Sequence, residues 1–284
     1  MSEALEARDI YLLTKISRLV IPISSFLLGF LISGGTSWIS TIIPISTFVF
    51  VYASAATLND IADIEIDRIT NSNRPLPSKK LGKTGALALA IMFTFIGLFV
   101  AYSVSLGFNK PYFFWGIVVE ALAGILYSII LSKNFISANS TLGITHGFLP
   151  FSLGFYLFGG FFNLTFWIIG LMVWAILFLT YNLKDLKDFE GDKLTRITLP
   201  VLVGLEKAKW FNSLFLISAV PISILAFLVR KSTNILGLIV SLVLALMLAA
   251  LGQYLTKSKN KDDFTKMLNM FRILMAMFLL SLAV

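Results

Sequence analysis

Long apolar stretches separated by short polar breaks make up most of the chain. A helix needs about 20 residues to cross a bilayer. On that scale the pattern predicts nine membrane helices, at residues 16–33, 39–58, 85–106, 112–131, 139–158, 164–181, 210–229, 235–255 and 267–283. The predicted fold is therefore an all-α polytopic membrane protein, with residues 1–284 forming a single transmembrane domain.

Composition and charge support a membrane protein and indicate its orientation. The chain is 57% hydrophobic and only 13% charged, with a mean hydropathy of +0.88, which excludes an ordinary soluble domain. With the N-terminus placed in the cytoplasm, 19 of the 23 Lys and Arg residues fall in cytoplasmic segments, and three, Lys110, Arg230 and Lys231, fall outside. The positive-inside rule thus predicts a cytoplasmic N-terminus and an external C-terminus. This distribution explains the net charge of +8 without a nucleic-acid partner.

Two acidic runs interrupt this apolar pattern, and both follow predicted spans at their cytoplasmic ends. They contain eight of the fifteen acidic residues, and in each the aspartates occupy relative positions 0, 3 and 7: Asp60, Asp63 and Asp67, then Asp185, Asp188 and Asp192. At 100° per residue these positions lie within about 60° of one another on a helix. Each run is therefore predicted to present a row of carboxylates on one helical face.

The two runs are related by a constant offset of 125 residues, which continues past the carboxylates to Pro75 and Pro200. The first run follows the second predicted span and the second run follows the sixth, so the offset corresponds to four spans. It therefore predicts two parallel four-helix repeats followed by a ninth helix. The segments after the rows, about 59–84 and 182–209, are the longest predicted loops and are expected to form a cytoplasmic cap over a cavity. The sequence contains no cysteine, so a thiolate metal site is excluded.

Carboxylate rows of this kind suit a hard cation. If the two rows face one another, oxygen ligands alone favour Mg²⁺ with phosphate oxygens completing its shell. Arg68 and Arg74 follow the first row, and Lys193 and Arg196 follow the second, which suits a cation already bound to an anion such as diphosphate. The alternatives are a solvated acidic face and basic residues that serve only to orient the chain in the membrane.

Aromatic residues make up 14% of the chain, and 26 of these residues are Phe. Most are expected to face lipid, but aromatic faces lining a cavity would also stabilise an allylic carbocation. Together with the metal and diphosphate site, this pattern indicates ionisation of a prenyl diphosphate at the membrane surface.

The two motifs resemble those of the UbiA superfamily of intramembrane prenyltransferases. The first comprises Asn59-Asp60-x-x-Asp63-x-x-x-Asp67-Arg68 and Asn73-Arg74-Pro75, and the second comprises Lys184-Asp185-x-x-Asp188-x-Glu190-Gly191-Asp192 and Thr198-Leu199-Pro200. The resemblance extends through nearly the whole chain and includes the nine-span pattern. It implies magnesium-dependent transfer of a long prenyl group from its diphosphate to a lipid-soluble acceptor.

The resemblance also implies roles for individual residues. The predicted metal ligands, for two Mg²⁺ ions, are Asn59, Asp60, Asp63, Asp67, Asp185, Asp188 and Asp192. The predicted substrate-binding residues are Asn59, Arg68, Arg74, Lys133, Lys184 and Lys193. The six aspartates and Tyr127, which is placed near the reacting carbon, are the candidate catalytic residues. For Tyr127 and Lys133 the alternative is an interfacial tyrosine and a lysine that only sets topology.

Within the superfamily, the second motif is similar to that of digeranylgeranylglyceryl phosphate synthases. This similarity implies a geranylgeranyl donor and geranylgeranylglyceryl phosphate as acceptor, in archaeal ether-lipid synthesis. An aromatic acceptor on a quinone or pigment pathway is the alternative, because Arg18-Leu19 stands where many members have Arg-Pro. A cation or phosphate transporter is a candidate from another class, and a membrane scaffold without catalytic activity is a further one.

Three polar residues within predicted spans remain, and the first, Arg272, lies one turn inside the ninth span and is expected to extend to the interface. Glu120 lies in the fourth span, where an ionised carboxylate is costly, so it is expected to face a cavity or to be neutral and hydrogen-bonded. His146, the only histidine, is expected to be a packed residue of the bundle.

Overall fold

The protein is described by a computed structural model that covers residues 6–70, 74–78, 80–193, 195–258 and 261–283. Over these residues the fold is all-helical, as predicted, and β pairing is confined to one isolated bridge. The α-helices are α1 Ala7–Thr14, α2 Val20–Ile32, α3 Ile42–Ala62, α4 Ile64–Thr70, α5 Lys83–Gly107, α6 Pro111–Ile129, α7 Phe135–Gly143, α8 Leu149–Leu157, α9 Leu164–Thr180, α10 Leu183–Asp192, α11 Leu199–Val203, α12 Leu205–Ile217, α13 Ala219–Val229, α14 Ile235–Lys257 and α15 Lys261–Ser281.

Seven helical segments in the described ranges are long and apolar enough to cross a membrane. They are Trp38–Ala62, Lys83–Gly107, Pro111–Ile129, Leu164–Asp192, Leu205–Val229, Ile235–Lys257 and Asp262–Ser281. An eighth is obtained if Ala7–Thr14 and Ile16–Ile32, which meet at 44°, form one broken span. The predicted span at 139–158 corresponds to α7, a π-helix at Ile144–Phe148 and α8. The structure thus supports a polytopic membrane protein.

The outward faces of the helices carry large apolar side chains. On α5, Phe95 and Phe99 are 70% and 71% exposed, and Trp115 on α6 is 60% exposed. A soluble protein rarely leaves so much apolar surface in contact with water, whereas a lipid-facing helix requires it.

The chain falls into two compact units. The first comprises residues 1–19 and 37–132, so it includes α1 and α3 to α6. Within it α3 packs against α5 and α6. Small and hydroxylated residues mediate these contacts: Ser54 and Thr94 are hydrogen-bonded at 2.7 Å, and Gly124 lies against Ala55. Small residues allow close approach of helix backbones inside a membrane.

The second unit comprises residues 20–36 and 133–284. Its largest core is apolar and includes a packed aromatic group in which Phe166 contacts Phe151 and Phe155, with ring centroids 5.5 and 5.1 Å away. Helix α2 packs against α8 and α15, and α12 packs against α14. His146 lies in the π-helix and is buried, with its ring centroid 5.4 Å from that of Tyr181, in agreement with a packed bundle residue.

Candidate active site

The first acidic run is divided between two helices. Helix α3 ends at Ala62, Asp63 is its C-cap with φ −93° and ψ 8°, and α4 begins at Ile64. The C-terminal end of α3 carries the negative end of its helix dipole, which disfavours additional carboxylates there. Glu65 and Asp67 lie instead in the first turn of α4, where the positive end of the α4 dipole favours them. The row expected on one continuous helical face is therefore interrupted at Asp63.

Arg74 connects the two sides of this interruption. Its Nη1 atom donates to Asp60 Oδ1 at 3.2 Å and to Asp67 Oδ2 at 2.5 Å. The side chains of both aspartates are almost fully buried, at 2% and 6% exposed, so their charges need nearby partners. Asn59 Nδ2 donates to Asp63 Oδ2 at 2.8 Å. A segment after the helix thus gathers aspartates from α3 and α4 around one guanidinium group. Asn73, which precedes Arg74 in the predicted motif, lies outside the described residues.

Lys15, which was not predicted as a site residue, also contacts this group. Its Nζ atom donates to Asp60 Oδ1 at 2.5 Å, and its side chain is 9% exposed. From the sequence, Lys15 is one of the 19 cytoplasmic Lys and Arg residues that are predicted to set the membrane topology. Lys15 follows α1, which packs on α3, so a contact between residues 45 positions apart depends on helix docking. No local spacing could have indicated it.

Arg68 lies apart from this group. Its Nη1 donates to Glu65 Oε2 at 2.7 Å on an exposed face, where the two side chains are 46% and 69% exposed. Surface pairs of this kind contribute little to stability. Its predicted substrate-binding role stays a prediction, and the structure places its guanidinium group beside Glu65.

The second acidic run lies within one continuous helix, α10. Asp185 and Asp192 are buried at 6% exposed each, whereas Asp188 is exposed. Lys193 follows the helix and donates to both carboxylate oxygens of Glu190 at 2.9 Å, with its Nζ atom 4.2 Å from the centre of the Phe189 ring. Lys184 is half-buried in the first turn of the same helix. The spacing therefore places two of the three carboxylates on the buried side of α10.

Lys133 lies next to the segment that follows α10. Its backbone oxygen accepts from Ile197 N at 2.8 Å, and Phe135 N donates to Ile197 O at 2.8 Å, which forms the bridge between Asn134 and Ile197. The side chain of Lys133 is exposed. Tyr127 lies half-buried in the last turn of α6.

The carboxylates of the first row fit a hard cation by their chemistry. Asp60 Oδ1 already accepts from two cationic groups, the Lys15 amine and the Arg74 guanidinium, which shows that this buried oxygen attracts positive charge. In the described part of the chain, no three acidic or histidine side chains stand close enough together to hold one ion. A metal ion bound by Asp60 would therefore compete with these two cations for the carboxylate.

Glu120 is an acidic residue in the middle of α6. Its Oε2 atom is buried and has no hydrogen-bond partner among the described residues. Unpaired polar atoms inside an apolar span are costly and usually have a functional reason. The expected orientation toward a cavity stays a prediction.

Comparison with known proteins agrees with the motifs. The profile of the UbiA prenyltransferase family matches residues 20–282. Digeranylgeranylglyceryl phosphate synthase of Methanocaldococcus jannaschii is 28% identical over 269 residues, which is 91% of this chain and 89% of that protein.

Two solved structures are similar along almost their whole length. A structure described as digeranylgeranylglyceryl phosphate synthase in membranes is 25% identical, with a TM-score of 0.66, and the match covers 97% of this chain and 96% of the other. A UbiA homolog from Archaeoglobus fulgidus, bound to GPP and Mg²⁺, is 18% identical, with a TM-score of 0.69 and a match covering 97% and 100% of the two chains. The second similarity supports the fold. Because the family profile matches almost the full length of the chain, the chain belongs to the UbiA prenyltransferase family and is a membrane prenyltransferase.

Proposed function

We propose that this enzyme transfers a geranylgeranyl group from its diphosphate to geranylgeranylglyceryl phosphate, in archaeal ether-lipid synthesis. The assignment of the acceptor is supported by relatives named digeranylgeranylglyceryl phosphate synthase, one of which aligns with 91% of the chain. The observation that supports the chemistry is the buried pair Asp60 and Asp67, whose carboxylates bind the cationic side chains of Lys15 and Arg74. The loop charges predict that this pair lies on the cytoplasmic side. Such carboxylates suit a metal-bound diphosphate.

The metal ligands are proposed to be Asn59 and the six aspartates of the two rows, for two Mg²⁺ ions. Bound magnesium neutralises charge on the leaving diphosphate. Arg74 contacts Asp60 and Asp67 of the first row, Lys193 contacts Glu190 of the second acidic run, and both basic residues are proposed to contact the diphosphate as well. Lys184, Lys133 and Arg68 supply further positive charge for substrate phosphates.

The remaining parts of the chain bind and shield the organic substrates. Apolar helices accommodate the prenyl tail, and aromatic faces stabilise the allylic cation that is left when diphosphate departs. Tyr127 is proposed to lie near the reacting carbon. The hydroxyl oxygen of the acceptor then bonds to this carbon and loses its proton, and the ether product and diphosphate leave.

The proposed architecture has nine membrane helices, arranged as two parallel four-helix repeats and a ninth helix. The N-terminus and both acidic rows are placed on the cytoplasmic side and the C-terminus outside, because the positive charges are concentrated in the corresponding loops. In this orientation the diphosphate group of the donor enters the site from the cytoplasm, and its prenyl tail enters from the lipid bilayer.

The reaction test uses purified protein, Mg²⁺ and geranylgeranyl diphosphate, with a panel of acceptors and product detection by mass spectrometry. We expect digeranylgeranylglyceryl phosphate from geranylgeranylglyceryl phosphate. EDTA should abolish its formation, and excess Mg²⁺ should restore it. The carboxylates and the diphosphate are all negatively charged, so a metal ion is needed to neutralise the leaving group. Prenylation of 4-hydroxybenzoate or another aromatic acceptor instead would support the alternative quinone or pigment pathway.

The transporter alternative has its own test. Liposomes containing the protein should form product without moving Mg²⁺ or phosphate across the bilayer. Flux without product would contradict the proposed reaction. Against transport, both rows follow the cytoplasmic ends of predicted spans, whereas coupled carboxylates of carriers commonly lie near the midplane.

A further inference from the structure

Lys15 has an unusual backbone conformation. It is the C-cap of α1, with its N–H donating to Tyr11 O at 3.1 Å and with φ +49° and ψ +33°. This left-handed region favours glycine, because a Cβ atom there clashes with the backbone. A lysine at this position therefore costs stability that glycine would not.

The side chain is directed by the packing of α1. Leu13 lies in a buried cluster with Ile64, Leu76 and Ala86, which fixes the end of α1 beside α4 and the start of α5. Earlier in α1, the buried Asp9 pairs with Lys80 at 3.7 Å. With α1 held at these points, the amine of Lys15 reaches Asp60 while 9% exposed.

Asp60 already has two cationic partners, so a metal ion bound to its carboxylate would add a third positive charge there, and repulsion would favour the departure of one of the two side chains. Lys15 Nζ and Arg74 Nη1 both contact Oδ1, at 2.5 and 3.2 Å. Arg74 retains Asp67 if it leaves Asp60. Lys15 would instead be left as a buried ammonium, which requires another anion nearby. A phosphate group carried in with the metal supplies that anion.

We propose that Lys15 is a phosphate-binding residue that exchanges Asp60 for a substrate phosphate when Asp60 takes up the metal. The inference rests on the proposed function, which supplies two possible sources: the diphosphate of the prenyl donor and the phosphate of the acceptor. In the metal-free protein, Lys15 is the counter-ion of Asp60 and competes with Mg²⁺ for it.

The test compares two variants that both lose the amine but differ in backbone strain. Lys15→Met retains a long side chain at positive φ, whereas Lys15→Gly relieves the strain and so offsets lost stability. Lys80→Met is the matched control, because it removes another lysine that pairs with an aspartate of the first unit. For each protein, calorimetry gives the Kd of Mg²⁺ without substrate, and steady-state kinetics at saturating Mg²⁺ give the KM of geranylgeranyl diphosphate and of geranylgeranylglyceryl phosphate.

We expect both Lys15 variants to bind Mg²⁺ several-fold more tightly, because a competing cation is gone. The KM of one phosphorylated substrate should rise about 10- to 100-fold, the usual effect of losing a charged hydrogen bond. The substrate affected identifies the source of the phosphate. Lys80→Met should change neither quantity.

Unchanged KM values for both substrates, or Mg²⁺ binding that is not tightened, would overturn the exchange and leave Lys15 as a structural partner of Asp60. A change confined to Lys15→Gly would also overturn it, because relief of backbone strain, and not loss of the amine, would then be the cause. Absence of product with the wild-type protein would instead contradict the proposed function, and the Mg²⁺ measurements on Lys15 can be made without substrate.

Discussion

Replacing Asp63 or Asp188 by asparagine is expected to reduce turnover by at least about 10²-fold while the fold is retained. Each change removes one negative charge from a row that is proposed to bind metal but keeps the size of the side chain, so the loss is expected in the stabilisation of the departing diphosphate. These positions are preferred to Asp60 and Asp67, whose carboxylates also bind Arg74 inside the protein. Product formation at saturating substrate, with thermal melting as the check on folding, measures the effect.

Each acidic run contains a glutamate that serves as a control for the loss of one negative charge. Glu65→Gln and Glu190→Gln remove a charge from the same runs, but these side chains are 69% and 80% exposed. They are expected to retain activity within about twofold, because surface charges are screened by solvent. If Asp63→Asn and Asp188→Asn were as active as these controls, the rows would have no role in the reaction and the scaffold interpretation would be favoured.

Gly154→Ala is expected to give a large loss of stability for one added methyl group. The new Cβ would lie 2.1 Å from Phe26 O, and a Cβ at Gly29 would lie 2.1 Å from Phe151 O. Both neighbours are backbone atoms, so helices α2 and α8 would have to move apart. Overpacking of this kind costs about 3 kcal/mol, against the small gain that alanine normally brings inside a helix. Thermal melting in detergent, at fixed detergent and Mg²⁺ concentrations, measures the change.

Gly107→Ala is the corresponding control. Gly107 is the last residue of α5, and no atom outside its own helix lies within 4 Å of an added Cβ. This variant should melt within a degree or two of the wild type, since a surface substitution changes stability by about 0.5 kcal/mol or less. Equal melting of Gly154→Ala and Gly107→Ala would mean that α2 and α8 do not approach each other as closely as described.

The two acidic runs show how much of the local structure can be predicted from the aspartate spacing. The aspartate spacing at 185, 188 and 192 predicted a row of carboxylates on one helical face. Helix α10 is continuous through the row, but only Asp185 and Asp192 are buried, whereas Asp188 is exposed. The identical spacing at 60, 63 and 67 did not predict the break at Asp63. There the charges fall at the end of the long helix α3, and helix-end electrostatics prevail over periodicity.

The sequence by itself determined the helical class, the membrane location and the family, because apolar span length and motif spacing are local properties of the chain. Tertiary structure decided the partners of each charge. Lys15 and Arg74 reach Asp60 only after α1 has packed on α3 and the chain after α4 has turned back. A buried carboxylate takes whichever cation the packing brings within reach, and distance along the chain does not encode that choice.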